Sequence, residues 1–361
     1  MAYTVIDKPS DYFNTVLYTG NGSTQSITGV NFQPDWVWLK QRSGTSNHRC
    51  YDIVRGATKQ IYPNLTNAEN TETNGLTSFN SDGFSLGNEG GHNQNGQTFA
   101  SWNWKAGTAF TNDASATGIG SIDSVGSVNT DAGFSIVTWT PTDTSYPQTI
   151  GHSLGVKPNV MIVKNRSRAG TDWRVYHSSL GATKALNLNT TSAQIDDNGF
   201  WNDVEPSSTV FTTGNGYGFT TGGATDNYVA YCFAEVKGYS KFGSYIGTGS
   251  STGTPFIYTG FKPAFVMTKI SSGTTDDWTM TDIVRDNAVG GGGNGTGARL
   301  QANYNGAEAV NTTYASIQKY SNGFSPQGNL NVTNGSGYTY IYMAFAENPL
   351  VGTNNVPATA R

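Results

Sequence analysis

The sequence predicts an all-β fold of three tandem β-sandwich, jelly-roll-like domains, generated by an internal repeat of about 105 residues. Three observations predict it. One pattern recurs three times: a strand of the form Pro-x-apolar-apolar-apolar-x-Lys, a Gly-Phe turn, and an aromatic closing strand. Period-2 alternation of side chains dominates locally. Asn-Gly and Asp-Gly turn signals recur densely, at 74–75, 82–83, 198–199, 215–216, 305–306 and 322–323 among others.

The opening strands are Pro34 to Lys40, Pro158 to Lys164 and Pro263 to Lys269. Their apolar residues stand at successive positions, which suits a central strand covered on both faces. The first residue of a strand is where Pro costs no ladder bond. Trp36 and Trp38 share one face of the first strand; Val160 and Ile162, then Phe265 and Met267, hold those places in the other two. Replacement of Trp by aliphatic residues marks these six as core or interface positions. The second covering surface is expected to be an adjacent copy or another subunit. The turns are Asp82-Gly83-Phe84, Tyr217-Gly218-Phe219 and Asn322-Gly323-Phe324. The closing strands run Phe99 to Trp104, Tyr228 to Phe233 and Tyr340 to Phe345. The Pro-to-Gly distance is 60 residues in copies two and three and 49 in copy one.

These landmarks divide the chain into sandwich repeat one over 1–107, a small-residue linker or extended arm over 108–133, repeat two over 134–238, repeat three over 239–350 and an extended tail over 351–361. Copies two and three abut and are expected to form a rigid pair, with copy one joined more loosely. Around Ala182 to Leu188 lies the best helical candidate.

Composition excludes several classes of function. Charged residues make up 13% of the chain, about half the usual share, and the net charge is −4 with no dense Lys/Arg cluster. That argues against nucleic acid as a partner. No apolar run reaches the length of a membrane span, so no membrane insertion is expected. The start of the chain shows no basic-then-apolar signal pattern, which suits folding in a cytoplasm. Cys50 and Cys232 fall at unrelated places in their copies and are expected to stay unpaired; Cys232 reads as a small buried hydrophobe.

No catalytic, metal-binding or cofactor-binding residues are assigned. The four histidines, His48, His92, His152 and His177, form no ligand-spaced pair. Asp196-Asp197 and Asp276-Asp277 match no calcium loop and read as turn acids. Gly290 to Gly297 lacks the Lys-Ser/Thr of a phosphate loop and reads as a surface loop. Trp173 and Trp201 stand among Asn, Asp and turn residues. That is the composition of a sugar-stacking surface, which makes these two the candidate glycan contacts, with a hydrophobic lid as the competing reading.

Several long strings carry a family resemblance. They include Ile6-Asp7-Lys8-Pro9-Ser10-Asp11-Tyr12-Phe13, His152-Ser153-Leu154-Gly155, Val229-Ala230-Tyr231-Cys232-Phe233-Ala234-Glu235, Gly238-Tyr239-Ser240-Lys241-Phe242-Gly243-Ser244-Tyr245 and Tyr340-Ile341-Tyr342-Met343-Ala344-Phe345. In these the chain resembles repeat-built virion structural and tail-fibre-like proteins of tailed bacteriophages, marine ones especially. The resemblance implies a non-enzymatic virion component, folded in the host cytoplasm and carried on the particle surface. A tail fibre or receptor-binding part is the first expectation, and a capsid decoration or head-fibre protein or a stand-alone carbohydrate-binding module the alternatives. Expected partners are other virion proteins, further copies of itself in a homo-oligomer (a trimer by fibre analogy), and a host surface glycan.

Overall fold

The computed structural model describes residues 4–141, 146–216, 225–285, 297–310 and 317–354. The turn Tyr217-Gly218-Phe219 and residues 290–296 of the Gly-rich run lie outside them. The fold is all-β, and every named strand pair is antiparallel.

Each predicted copy, hereafter a unit, contributes one wide and one narrow sheet. In unit one the wide sheet runs Phe13–Thr19, Thr98–Trp104, Trp36–Gln41, Arg49–Asp52, and the narrow sheet Gln25–Ile27, Gly83–Leu86, Leu76–Asn80. Unit three repeats this order with Ser240–Ile246, Thr339–Pro349, Phe261–Ser272 and Thr279–Asp282 opposite Ile257–Tyr258, Gly323–Pro326 and Ile317–Tyr320. Unit two has Phe134–Trp139, Tyr228–Phe233, Val160–Asn165 and Arg174–His177 opposite Gln148–Gly151 and Val210–Thr213. First, last and third strands are thus neighbours in the wide sheet, and second and next-to-last in the narrow one. This is the interleaving of a jelly-roll-like sandwich.

Side-chain alternation sends each wide sheet into two cores. In unit one Val37, Leu39 and Tyr51 meet Ile27, Leu76, Phe84 and Leu86 of the narrow sheet. Met161, Val163, Tyr228 and Cys232 meet Ile150 and Phe211 in unit two; Val266, Tyr340 and Ala344 meet Ile257, Ile317 and Phe324 in unit three. The opposite faces of all three wide sheets converge on one further cluster. It contains Trp36, Trp38, Val160, Ile162, Phe265 and Met267, the six positions the sequence marked as core or interface. Their second covering surface is therefore the neighbouring units of the same chain.

At the centre of that cluster the last residues of the three predicted closing strands meet. Trp104, Phe233 and Phe345 occupy equivalent register positions, opposite Trp36, Val160 and Phe265. Their rings pack edge to face at 6.3 Å (Trp104–Phe233), 5.8 Å (Trp104–Phe345) and 5.7 Å (Phe233–Phe345). That geometry suits ring quadrupoles, at about 0.5–1.5 kcal/mol per pair beyond the burial itself. Away from the centre, Tyr18, Trp139 and Tyr245 stack on Phe99, Tyr228 and Tyr340 at 5.1, 5.2 and 4.9 Å, one pair per unit.

Three expectations need correction. Unit one is not loosely attached, because Phe13, Trp36, Trp38, Trp102 and Trp104 lie in the shared cluster with the other two units. The 108–133 stretch does not span open space. Its strands Thr108–Asn112 and Ser124–Asn129 form a hairpin that extends the wide sheet of unit two, pairing with Phe134–Trp139 and covering an otherwise free edge. The segment read as a helix is the strand Lys184–Asn187, paired with Arg174–His177; Leu186 and Leu188 enter the shared cluster, so tertiary burial overrides helix propensity. The first residues of the tail are tied down, with Thr353 N–H donating to Asp7. Cys50 and Cys232 are buried free thiols, as expected.

Phe345 touches rings from all three units. Phe345→Ala is expected to cost about 3–5 kcal/mol in urea unfolding while leaving a single transition. Separate melting of residues 240–349 would contradict the shared-core account.

Candidate functional site

Two of the seams between units hold extended chains of buried polar contacts. At the seam of units one and two, Tyr231 Oη donates to Asp52 Oδ2 at 2.7 Å, and Arg55 Nε donates to the same oxygen at 2.5 Å. Arg55 Nη1 continues to Glu69 at 2.9 Å, and Arg166 of unit two clamps Glu69 with Nε and Nη2 at 2.8 and 2.9 Å. The seam of units three and one repeats the chain of contacts. Trp102 Nε1 donates to Asp282 Oδ2 at 3.0 Å, Arg285 Nε to Asp282 at 2.5 Å, Arg285 Nη1 to Glu308 at 2.9 Å, and Arg42 Nη2 to Glu308 at 2.7 Å.

The third seam holds none of these charges at the matching places. Ladder register aligns Asp52 and Asp282 with His177, opposite Trp36, Phe265 and Val160 respectively. Three residues on, Arg55 and Arg285 match Leu180. The backbone bonds Glu69 N–H to Arg166 O, Glu308 N–H to Arg42 O and Gln194 N–H to Ser271 O match Glu with Gln194 and Arg with Ser271. Facing His177 is the position of Tyr231 and Trp102, which in unit three is Met343, a side chain that cannot donate. His177 Nδ1 accepts from Ser179 N–H at 3.1 Å, which leaves the proton on Nε2, 3.1 Å from the Tyr342 carbonyl of unit three. All members of the set change together where one donor is lost.

One further feature recurs at every seam, and a second at two of them. The Lys that closes each opening strand is buried and donates to a carbonyl of the next unit: Lys40 to Asn305 at 3.2 Å, Lys164 to Thr66 at 3.3 Å and Lys269 to Thr191 at 2.7 Å. Burial pushes all three ammonium groups down to about 8. Trp173 Nε1 donates to Tyr62 O of unit one and Trp278 Nε1 to Asn187 O of unit two, each at 2.9 Å. His48 fills the corresponding place in unit one, taking a 2.8 Å bond from Trp38 Nε1.

Burial raises the cost of ionising Asp282, but the Arg285 guanidinium overrides it and holds the carboxyl below its ordinary range. Glu69 is likewise held low, against its own burial, by Arg166 and Arg55. The Asp52–Arg55 and Asp282–Arg285 side chains are fully buried, so no substrate reaches them. Buried pairs of this kind suit the fixing of which surfaces meet.

Both proposed glycan contacts lie elsewhere than on a sugar-binding surface. Trp173 is 0% exposed at the seam of units one and two, and Trp201 is 1% exposed, its edge against Tyr176 and its Nε1 donating to Lys184 O. Neither ring offers a face to a sugar; Trp201 packs in the sandwich core of unit two, as the competing lid reading has it, whereas Trp173 lies in the cluster shared between units. Asp197 receives Gly199 N–H at the start of the short helix Asn198–Trp201, the turn role expected of it; Asp277 instead accepts from Asn303 and Gln301, more than twenty residues away in the chain. Among the described residues no cluster of His, Cys, Asp and Glu is arranged to hold a metal ion, and no helix is long and apolar enough to cross a membrane.

An open cleft of about 590 Å³ lies on unit two, lined in part by Asp113, Asp123, Trp139, Arg166 and Asn227. Its acids are engaged by backbone: Asp113 receives Ala116 N–H and the Ser115 hydroxyl, and Asp123 receives Ala114 N–H. The Ser115 hydroxyl, with that backbone bond, holds Asp113 below its ordinary value, the opposite of what a general acid needs.

The seam set was missed in the sequence. Its signal was present as Asp-Ile-Val-Arg, written at 52–55 and again at 282–285, and replaced by His-Ser-Ser-Leu at 177–180. The chain belongs to the family described as Domain of unknown function (DUF7483), whose profile matches residues 8–349 and so spans all three units. No curated protein and no solved structure matches it.

Two predictions follow from the seams. Arg55→Leu strands Asp52 in the interior and is expected to cost about 3–5 kcal/mol in urea unfolding. Installing the whole third-seam set (Asp52→His, Arg55→Leu, Glu69→Gln, Arg166→Ser, Tyr231→Met) recovers most of that loss; no recovery would contradict the matched-set reading. The second concerns acid. Burial holds His152 and His177 down to about 4, with only a carbonyl contact opposing it, and His48 well below its usual value. The unfolded chain takes up these protons near 6.5, so stability is full above that pH and falls as pH drops from 6.5 towards 4. Urea midpoints at pH 7.0, 5.5 and 4.5 should decline in that order, and less steeply in His177→Gln.

Proposed function

We propose that this chain is a virion surface component of a tailed bacteriophage, a rigid scaffold that presents loops and narrow-sheet faces to a host cell, in a tail fibre or receptor-binding assembly. The observation that carries the reading is the single shared core. Three wide sheets face inward on one aromatic cluster, which leaves the narrow sheets, the turns around them and the edge hairpin of unit two on the outside. A scaffold of that kind suits passive presentation, in which weak contacts are multiplied by copy number. The resemblance of the strings at 6–13, 229–235 and 238–245 to virion structural proteins supplies the biological setting.

The strand faces assigned to oligomerisation are occupied within the chain. Assembly into a homo-oligomer, the proposed trimer included, would then use the narrow sheets or edges. A chain with three like units around one core also suits attachment on a threefold or sixfold axis of a particle without further copies. This keeps the capsid decoration alternative open as a position on the particle, with the same mechanism. The stand-alone carbohydrate-binding alternative loses its proposed platforms at Trp173 and Trp201.

Antibody raised against the purified protein is expected to label intact particles in electron micrographs, and added soluble protein to slow particle adsorption to host cells. Particles free of label in a lysate that contains the protein would overturn the virion reading.

A further inference from the structure

The same sheet position can be compared three times in this chain, and one copy departs from the other two. In the narrow sheet of unit one, the strand Gln25–Ile27 buries Ile27 against Phe84 and turns Ser26 and Thr28 outward. In unit two the matching strand carries Thr149 and Gly151 on either side of the buried Ile150, and there Gly151 is covered by Asn112 and Ile119. In unit three the flanking residues of the buried Ile257 are Phe256 and Tyr258, 51% and 54% exposed. Register places Tyr258 opposite Gly323, and Gly323 opposite Tyr320, so the three span the sheet in one row. A Cβ on Gly323 would stand 2.8 Å from Phe256 Cζ, which places that ring across the middle strand; it packs edge to face on Tyr320 at 5.7 Å. Unit one carries Asn80 where unit three carries Tyr320.

We infer that Phe256, Tyr258 and Tyr320 form a binding face for a neutral glycan on the outer surface of unit three. The fold does not require aromatic residues there, since unit one is built with Ser, Thr and Asn at the same places. Exposing them costs solvation that a partner would recover. The area bears on the partner's size. Two half-exposed rings offer on the order of 200 Å², well short of the roughly 800 Å² per side of a stable protein interface. The charge bears on its chemistry. The three strands of this sheet carry one charged residue, Lys319, which is 2% exposed and lies in the inward register with Phe324. An uncharged aromatic face suits the C–H faces of neutral sugar rings, and its strands carry no exposed cation for phosphate or sulfate. Tyr258 and Tyr320 sit two strand spacings apart, about 10 Å, room for about two linked sugar residues. Gln318, which takes the Tyr320 hydroxyl at 2.8 Å, adds an amide beside the rings.

This inference rests on the host-surface reading for its biological setting, but its test does not. The purified protein is applied to a printed array of neutral hexose and N-acetylhexosamine oligosaccharides, with sulfated oligosaccharides and phosphatidylcholine vesicles in parallel. The variant Phe256→Ser/Tyr258→Thr/Tyr320→Asn copies the face of unit one and should keep its melting temperature. Neutral oligosaccharides are expected to bind, with at least about a tenfold loss in the variant. The reverse graft, Ser26→Phe/Thr28→Tyr/Asn80→Tyr, is expected to raise the number of bound oligosaccharides per chain. Equal binding by wild type and variant, no binding of the neutral series by wild type, or binding of vesicles or sulfated sugars alone would each overturn the inference. Particle labelling is scored separately: labelled particles with no neutral-glycan binding sink only this inference, and unlabelled particles with binding intact sink only the virion reading.

Discussion

The edge-to-face contact of Trp104, Phe233 and Phe345 is where the structure closes. Each ring stands at the equivalent register position of an aromatic closing strand, and each strand lies between two others in its wide sheet. Moving one ring would move a whole sheet and the narrow sheet behind it. Around the triangle, Trp36 stacks on Trp104 at 4.5 Å and on Tyr231 at 4.2 Å, tying units one and two before any polar contact is counted. The apolar cluster supplies the cohesion. The polar groups at the seams suit a role in selecting which edges of the units meet.

The three seams are unequal. Two of them carry the Asp–Arg–Glu–Arg chains, and the third holds none of these charges at the matching places. Buried ion pairs contribute little net stability against an apolar alternative, and a role in selecting the right neighbour is the better-attested use of them. His177, Leu180, Gln194 and Ser271 show the alternative set working in the same fold.

Much of this architecture was legible in the sequence. The Pro-initiated strands announced two covered faces, and both faces are covered: Val37 and Leu39 look into the sandwich of unit one, Trp36 and Trp38 into the shared core. The closing strands were visible down to the residues that form the central triangle. What the repeat could not show was closure. Apolar faces that suit a subunit interface suit an intramolecular one equally well, and only the arrangement in space chooses. Trp173 and Trp201 misled for a local reason. Their Asn- and Asp-rich surroundings are turn chemistry, but Trp173 directly precedes the strand Arg174–His177 and its ring falls into a seam. The candidate sugar face at Phe256 and Tyr258 was missed because its signal lies in a comparison of outward positions between copies, and the buried positions were the ones compared.

Native-state hydrogen exchange of the three closing strands tests the central claim most directly. If the ring triangle makes one cooperative core, the amides of 99–104, 228–233 and 340–345 exchange only through a common opening, with the same free energy and the same denaturant dependence. Three distinct opening energies, or exchange of one strand while the other two stay protected, would show that the units fold independently and that the shared core does not hold them together.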